Sequence, residues 1–172
     1  MDVSIIMGSD SDLPVFAEAA EVLEEFKVPF EISILSAHRT PQALLFYLDS
    51  IKKTVKVIIA GAGGAAHLPG VVSAHVTIPV IGVPIKTPTL NGVDSLYSIV
   101  QMQPGIPVAT VGINAGKNAG LLAIHILSIS DQRLNKKLIE YRKKMAEGVL
   151  SKNRKLRILG FRKYLKGQHG TG

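Results

Sequence analysis

Apolar and polar positions come in blocks along this chain. Val3–Met7 is a short apolar run rich in β-branched residues, which predicts a strand. From Asp12 to Phe26 the positions Leu13, Phe16, Ala20, Leu23 and Phe26 recur at helical spacing. Ser11 or Asp12 is expected to cap that helix, with Pro14 in its first turn. The alternation continues with a strand at Phe30–Leu35 and a helix from Pro41 to about Ile51, capped by Thr40. Next come a strand at Val55–Ala60, a Gly-rich turn, a helix from about Ala65 to Ala74 and a strand at Pro79–Val83. A short helix from Asp94 to about Val100, a strand at Val108–Val111 and a long helix starting near Lys117 complete the series.

Five mostly apolar strands separated by helices predict a parallel sheet covered on both faces. The flavodoxin-like form fits best: an α/β, three-layer αβα sandwich with sheet order 2-1-3-4-5 and a long C-terminal helix. Residues 1–150 are read as one catalytic domain that includes most of that helix, and 151–172 as a basic tail. Leu134, Leu138, Tyr141, Met145 and Val149 form an apolar stripe on a charged rod. Such a stripe must be buried somewhere, and a neighbouring copy is the expected cover, so a homo-oligomer is predicted.

Composition narrows the chemistry. The 172 residues include no Cys, so a disulfide scaffold and thiolate catalysis are excluded. The net charge of +7 is unevenly spread: residues 1–130 hold 7 Lys+Arg and 10 Asp+Glu, residues 131–172 hold 13 and 3. A nucleic-acid surface on the main body has little support. The basic tail reads more simply as a solvated helix than as an RNA- or DNA-binding element. Val3–Met7 is short and lacks a basic lead, and no run of about 20 apolar residues occurs. A cytoplasmic enzyme with no membrane span is the expectation.

In a doubly wound sheet, ligands bind beyond the carboxyl ends of the strands, near the switch in strand order. Three segments fall there. Gly8-Ser9-Asp10-Ser11-Asp12 sets hydroxyls and free N–H groups at a helix start, which suits an anion, while Asp12 can accept from sugar hydroxyls. Plain helix capping explains the same residues equally well. Ser36-Ala37-His38-Arg39-Thr40-Pro41 pairs a planar phosphate-matching fork with a group that exchanges protons near neutrality. A lone His in a turn is usually a surface residue, but this strand-end position makes a catalytic role as plausible. Gly61-Ala62-Gly63-Gly64-Ala65-Ala66-His67-Leu68-Pro69 offers small residues for a tight, dry pocket, with His67 either touching ligand or capping the next helix.

Other chemistries find no support. The G-x-G-x-x-G pattern is incomplete, since position 66 is Ala, so a nicotinamide or flavin cofactor is not expected. His38, His67, His75, His125 and His169 lack metal-ligand spacing, so no metal is expected. Neither a Walker sequence nor a G-x-S-x-G turn occurs.

These segments together resemble the PurE family. So do Pro79-Val80-Ile81-Gly82-Val83-Pro84, the run Asp94 to Met102, and Asn118-Ala119-Gly120-Leu121-Leu122-Ala123. The resemblance covers about residues 2–130, and the Ala-His-Arg-Thr-Pro form is similar to the mutase branch. It implies interconversion of N5-carboxyaminoimidazole ribonucleotide and 4-carboxyaminoimidazole ribonucleotide in purine synthesis, without cofactor, by a cytoplasmic homo-octamer. By the same resemblance, His38 is the general acid and base, Ser11 and Arg39 hold the phosphate, and Asp12 holds the ribose. Ser9, Ser36 and Ala37 would line the site, and Gly63, Ala65, His67 and Leu68 would form the pocket over the base and carboxylate.

Overall fold

The computed structural model describes residues 1–168, so His169 and the last residues of the expected tail lie outside the described residues. The chain divides into two compact units, residues 1–131 and 132–172.

The first unit is built on five parallel strands: β1 (Val3–Met7), β2 (Phe30–Ile34), β3 (Val57–Gly63), β4 (Val80–Ile85) and β5 (Ala109–Thr110). Their order is β2-β1-β3-β4-β5, as the sequence predicts. The fold is α/β and flavodoxin-like. Five helices connect and follow the strands: α1 (Leu13–Phe26), α2 (Pro41–Ile51), α3 (Leu68–His75), α4 (Val93–Val100) and α5 (Gly116–Ser128). β1 and β3 are neighbours, with Ile5 opposite Ile59 and Met7 opposite Gly61. The chain winds outward from them in opposite directions, so the switch point lies between them.

Side chains alternate across the sheet. On one side Ile6, Ile58 and Ala60 pack with Leu44 and Leu48 of α2 and Leu68 and Val72 of α3. On the other, an added Cβ at Gly61 would lie 2.6 Å from the Phe16 ring of α1. That glycine lets the helix sit directly on the strand. α1 and α5 approach just as closely: a Cβ at Gly116 would fall 1.8 Å from the Val15 carbonyl oxygen. The buried face of α1 is Phe16, Ala19, Val22, Leu23 and Phe26. Leu13, expected on that face, is 43% exposed because it starts the helix at the sheet's rim.

Several boundaries move for physical reasons. The Gly-rich segment is strand as far as Gly63, since Gly61, Ala62 and Gly63 pair with Val83, Pro84 and Ile85. Only Gly64, at φ 67, turns the chain. The third helix consequently starts at Leu68 rather than near Ala65. The long helix expected from Lys117 is two helices, since α5 ends at Ser128.

The second unit is the helix α6 (Gln132–Gln168), interrupted at Gly160, whose φ of 71 and ψ of 157 suit glycine almost alone. Met145 and Val149 of the apolar stripe are 58% and 66% exposed. Among the described residues, no helix is long and apolar enough to cross a membrane.

Candidate active site

The carboxyl ends of β1, β2 and β3 bring the three predicted turns together. After β1 the chain makes a 3-10 turn at Asp10–Asp12 before α1 begins. This turn uses up backbone donors. The Ser11 N–H bonds to Ser9 Oγ at 3.4 Å, the Asp12 N–H to the Ser9 carbonyl at 3.2 Å, and the Leu13 N–H to the Asp10 carbonyl. The Asp12 carboxylate makes no cap bond to α1. Its oxygen accepts from the Ser11 hydroxyl at 3.1 Å instead. The N–H groups of Ser11, Asp12 and Leu13 are therefore engaged within the turn.

The turn after β2 is closed on itself. The Thr40 N–H donates to the Ser36 carbonyl at 3.0 Å, and Thr40 Oγ1 accepts the Ser36 N–H at 2.9 Å. The Ser36 hydroxyl oxygen accepts the Arg39 N–H at 3.2 Å. Thr40 is thus engaged backwards and does not cap α2, whose first residue, Pro41, has no N–H to offer. The closed turn projects His38 and Arg39. Arg39 Nη2 crosses to the Gly8 carbonyl at 2.6 Å and ties the second turn to the first.

Between the turns lies a cavity of about 320 Å³. Gly8, Ser9 and Asp12 line it from the first turn, and Ser36, His38 and Arg39 from the second. Ala62 and Gly63 form the β3 side. Ser9, Asp12, Ser36, His38, Arg39 and Gly63 were all expected there. Gly8 and Ala62 were missed, although the strand-end rule points at both. The other expected residues stand behind or beside the cavity. Ser11 is exposed and bonded to Ser9 Oγ at 3.0 Å. Ala37 packs against the α2–α3 core, Leu68 is 2% exposed within it, and Ala65 faces outward.

His67 does not line the cavity but reaches it through His38. His67 Nδ1 lies 2.8 Å from His38 Nε2, with the rings edge to face at 88°. His67 precedes α3 yet makes no side-chain cap bond, so of the two roles open to it, capping is not the one adopted. A hydrogen bond between ring nitrogens needs one N–H and one lone pair, so the tautomer of one ring fixes the role of the other.

The Asp12 carboxyl is perturbed by its surroundings. Burial pushes its carboxyl above the usual value, while the Ser11 hydrogen bond and the Arg39 charge pull it back and Asp10 adds to the rise. A carboxylate in this balance is a strong acceptor for a neutral donor such as a sugar hydroxyl.

A larger hollow of about 580 Å³ lies at the opposite end of the sheet, beside Pro79 and Val80 at the start of β4. His75 borders it and is held by Asp49 at 3.3 Å, an acid already bonded to Lys52 at 2.7 Å. The Ser73 hydroxyl on its wall donates to the Pro107 carbonyl at 2.8 Å. Among the described residues, no group of three His, Cys, Asp or Glu is placed to hold a metal ion.

Comparison with known proteins fits this geometry. The family model described as AIR carboxylase matches residues 2–148. An N5-carboxyaminoimidazole ribonucleotide mutase of Pyrococcus abyssi is 61% identical over 166 residues, covering 96% of this chain and 95% of that protein. A phosphoribosylaminoimidazole carboxylase of Candida glabrata is 55% identical over 167 residues, but the chain spans only 29% of that longer protein. The crystal structure of Treponema denticola PurE superposes with a TM-score of 0.83 at 31% identity, covering 90% of this chain and 97% of that one.

Proposed function

Since the chain belongs to the AIR carboxylase family, we propose that it is an N5-carboxyaminoimidazole ribonucleotide mutase of purine synthesis, with His38 as its proton carrier. The observation that carries this reading is the position of His38. It sits on the cavity wall, held by His67 and flanked by Arg39.

The substrate has three parts, and each has a matching group. Arg39 is a planar cation suited to phosphate oxygens, and the Ser9 hydroxyl lines the same cavity, with the Ser11 hydroxyl bonded to Ser9. To receive a phosphate, Arg39 would exchange its Gly8 carbonyl for the anion, a stronger partner. Asp12 accepts from the ribose hydroxyls. The small wall at Ala62 and Gly63 admits a flat ring, since neither residue projects bulk into the cavity.

The reaction then needs one group that gives and takes a proton. The carbamate C–N bond breaks, its electron pair returns to nitrogen, and His38 protonates that nitrogen. The ring carbon attacks the carbon dioxide released, and His38 removes the ring proton to restore aromaticity. The proton count closes, so neither redox chemistry nor ATP is required. His67 orients the His38 ring through the hydrogen bond they share.

In a single chain this cavity is open, because His38, Arg39 and Gly63 are exposed. Retaining carbon dioxide requires a cover. We therefore assign the chain to a homo-oligomer, an octamer by family resemblance, in which a neighbour closes the site. Exposed apolar side chains such as Phe46, at 78%, and Ile34, at 55%, support association. A phosphorylated substrate does not cross a bilayer unaided, so the reading also puts the enzyme in the cytoplasm.

The test is direct interconversion of the two carboxylated isomers without ATP or added metal. A second reading is carboxylation of aminoimidazole ribonucleotide by carbon dioxide, favoured by the printed name of the fungal relative. Turnover of the N5-carboxylated substrate, with little from bicarbonate plus aminoimidazole ribonucleotide, supports the mutase; the reverse supports the carboxylase.

A further inference from the structure

Gly64 is gripped from behind by α4, an element that contributes nothing to the cavity wall. Its N–H donates to Ser95 Oγ at 2.9 Å. The Ser95 hydroxyl in turn donates to the Ile85 carbonyl at 2.7 Å, and Ser95 is fully buried. One helical turn on, the Ser98 hydroxyl is shared between the Asp94 carbonyl at 2.8 Å and the Gly64 carbonyl at 3.2 Å. Both peptide groups of one residue are thus held by two serines on the same helix face. The N-terminal turn of α4 is itself anchored, because Thr87 Oγ1 donates to the Asp94 carboxylate at 3.0 and 3.1 Å.

Gly64 is where the chain leaves β3. Gly63, just before it, lines the cavity, and His67, three residues after it, meets His38. Two tight turns join them: the Ala66 N–H donates to the Gly64 carbonyl at 2.9 Å, and the His67 N–H to the Ala65 carbonyl at 2.8 Å. The positive φ of Gly64 has no side chain to stabilise it and open space around its Cβ position. The conformation is therefore held by its hydrogen bonds: Ser95 accepts from the N–H, and the carbonyl is shared by the Ser98 hydroxyl and the Ala66 N–H.

We infer that Ser95, assisted by Ser98, is a positioning residue for the mutase reaction: it sets the peptide from which Gly63 faces the substrate and His67 reaches His38. This rests on the mutase reading above and adds α4 to the machinery of that site. Ser95 touches no reacting atom; it acts through the Gly64 turn.

The experiment compares Ser95→Ala, Ser95→Cys and Ser98→Ala with the unmutated full-length chain, measuring kcat, KM, melting temperature and the pH profile of kcat/KM. The expected result for Ser95→Ala is a kcat loss of about tenfold or more with KM within about threefold, since small misplacements penalise alignment more than binding. Its pH profile should also be displaced, because the His67–His38 bond is disturbed. Ser95→Cys, a weaker donor and acceptor, should recover part of the loss, and Ser98→Ala should show a smaller change of the same kind. A Ser95→Ala protein with a lowered melting temperature but unchanged kcat and pH profile overturns the inference. Where Ser95→Ala does not fold, Ser98→Ala decides, and an unaltered kcat and profile overturn it equally. An inactive unmutated chain overturns the mutase reading, and this inference with it.

Discussion

His38 Nε2 and His67 Nδ1 meet at 2.8 Å although 29 residues separate them in the chain. His38 stands in the turn after β2 and His67 before α3, so two crossovers must be complete before the rings meet. Replacing His38 by Asn keeps a polar group of similar reach but removes the proton carrier. Turnover of the N5-carboxylated substrate should fall by roughly two to four orders of magnitude, with substrate binding retained. Steady-state kinetics beside a direct binding measurement checks this, and near-normal turnover would refute the proton role.

Loss of His67 should cost less, because that ring does not line the cavity. His67→Ala should lower kcat by about tenfold to a hundredfold, the scale of one hydrogen bond to a group that becomes charged. The pH dependence of kcat should change as well, since the hydrogen bond that orients His38 would be lost. An identical pH profile would separate His67 from the reaction.

Asp12 couples stability to pH. Its folded value is raised above the ordinary 3.8, chiefly by burial. The folded chain therefore holds that proton more tightly than the unfolded chain does. The associated stability is fully present below the ordinary value and is lost as pH rises through the raised one. At neutral pH the ionised carboxylate is a net cost, so Asp12→Asn should melt at a higher temperature than the parent. The difference should shrink below about pH 3.8. Substrate affinity should drop about tenfold to a hundredfold if Asp12 accepts from the ribose. Thermal melts across pH, paired with KM, test both halves.

Among the described residues, the partner of the buried Ser4 hydroxyl on β1 is the Tyr47 hydroxyl of α2 at 2.9 Å. Tyr47→Phe strands that hydroxyl and should cost about 1–3 kcal/mol in urea unfolding. Adding Ser4→Ala removes the stranded group, so the double variant should be less destabilised than the two single losses combined. Strict additivity would mean that the hydroxyls are not coupled.

Gly116→Ala probes the contact between α1 and α5. The added carbon would lie 1.8 Å from the Val15 backbone oxygen, which no rotamer change relieves. The helices must separate, at about 1–3 kcal/mol or more. A melting temperature equal to the parent's would mean that the two helices are not packed this closely.

Much of this was legible in the residues themselves. β1 and α2 have the bounds that the apolar pattern predicts, and the parallel sheet follows from alternating strands and helices, with the order that the flavodoxin-like form expects. The strand-end rule points to the three segments that meet at the cavity, because a parallel sheet leaves its ligand site where the strands stop, and the family resemblance adds Ser36 and Gly63 within them. Local sequence carries such features because periodicity and turn chemistry act over a few residues.

Other features depend on groups distant in the chain. Glycines 61 and 63 read as a turn, yet they form strand, because β4 supplies the pairing and Phe16 fills the space a side chain at Gly61 would need. Thr40 and Asp12 read as helix caps, yet the Ser36 backbone and the Ser11 hydroxyl engage them first. The hold of Ser95 on Gly64 joins residues 31 apart. No local pattern encodes these contacts, since each exists only after the crossovers have packed and left a donor and an acceptor facing each other away from water.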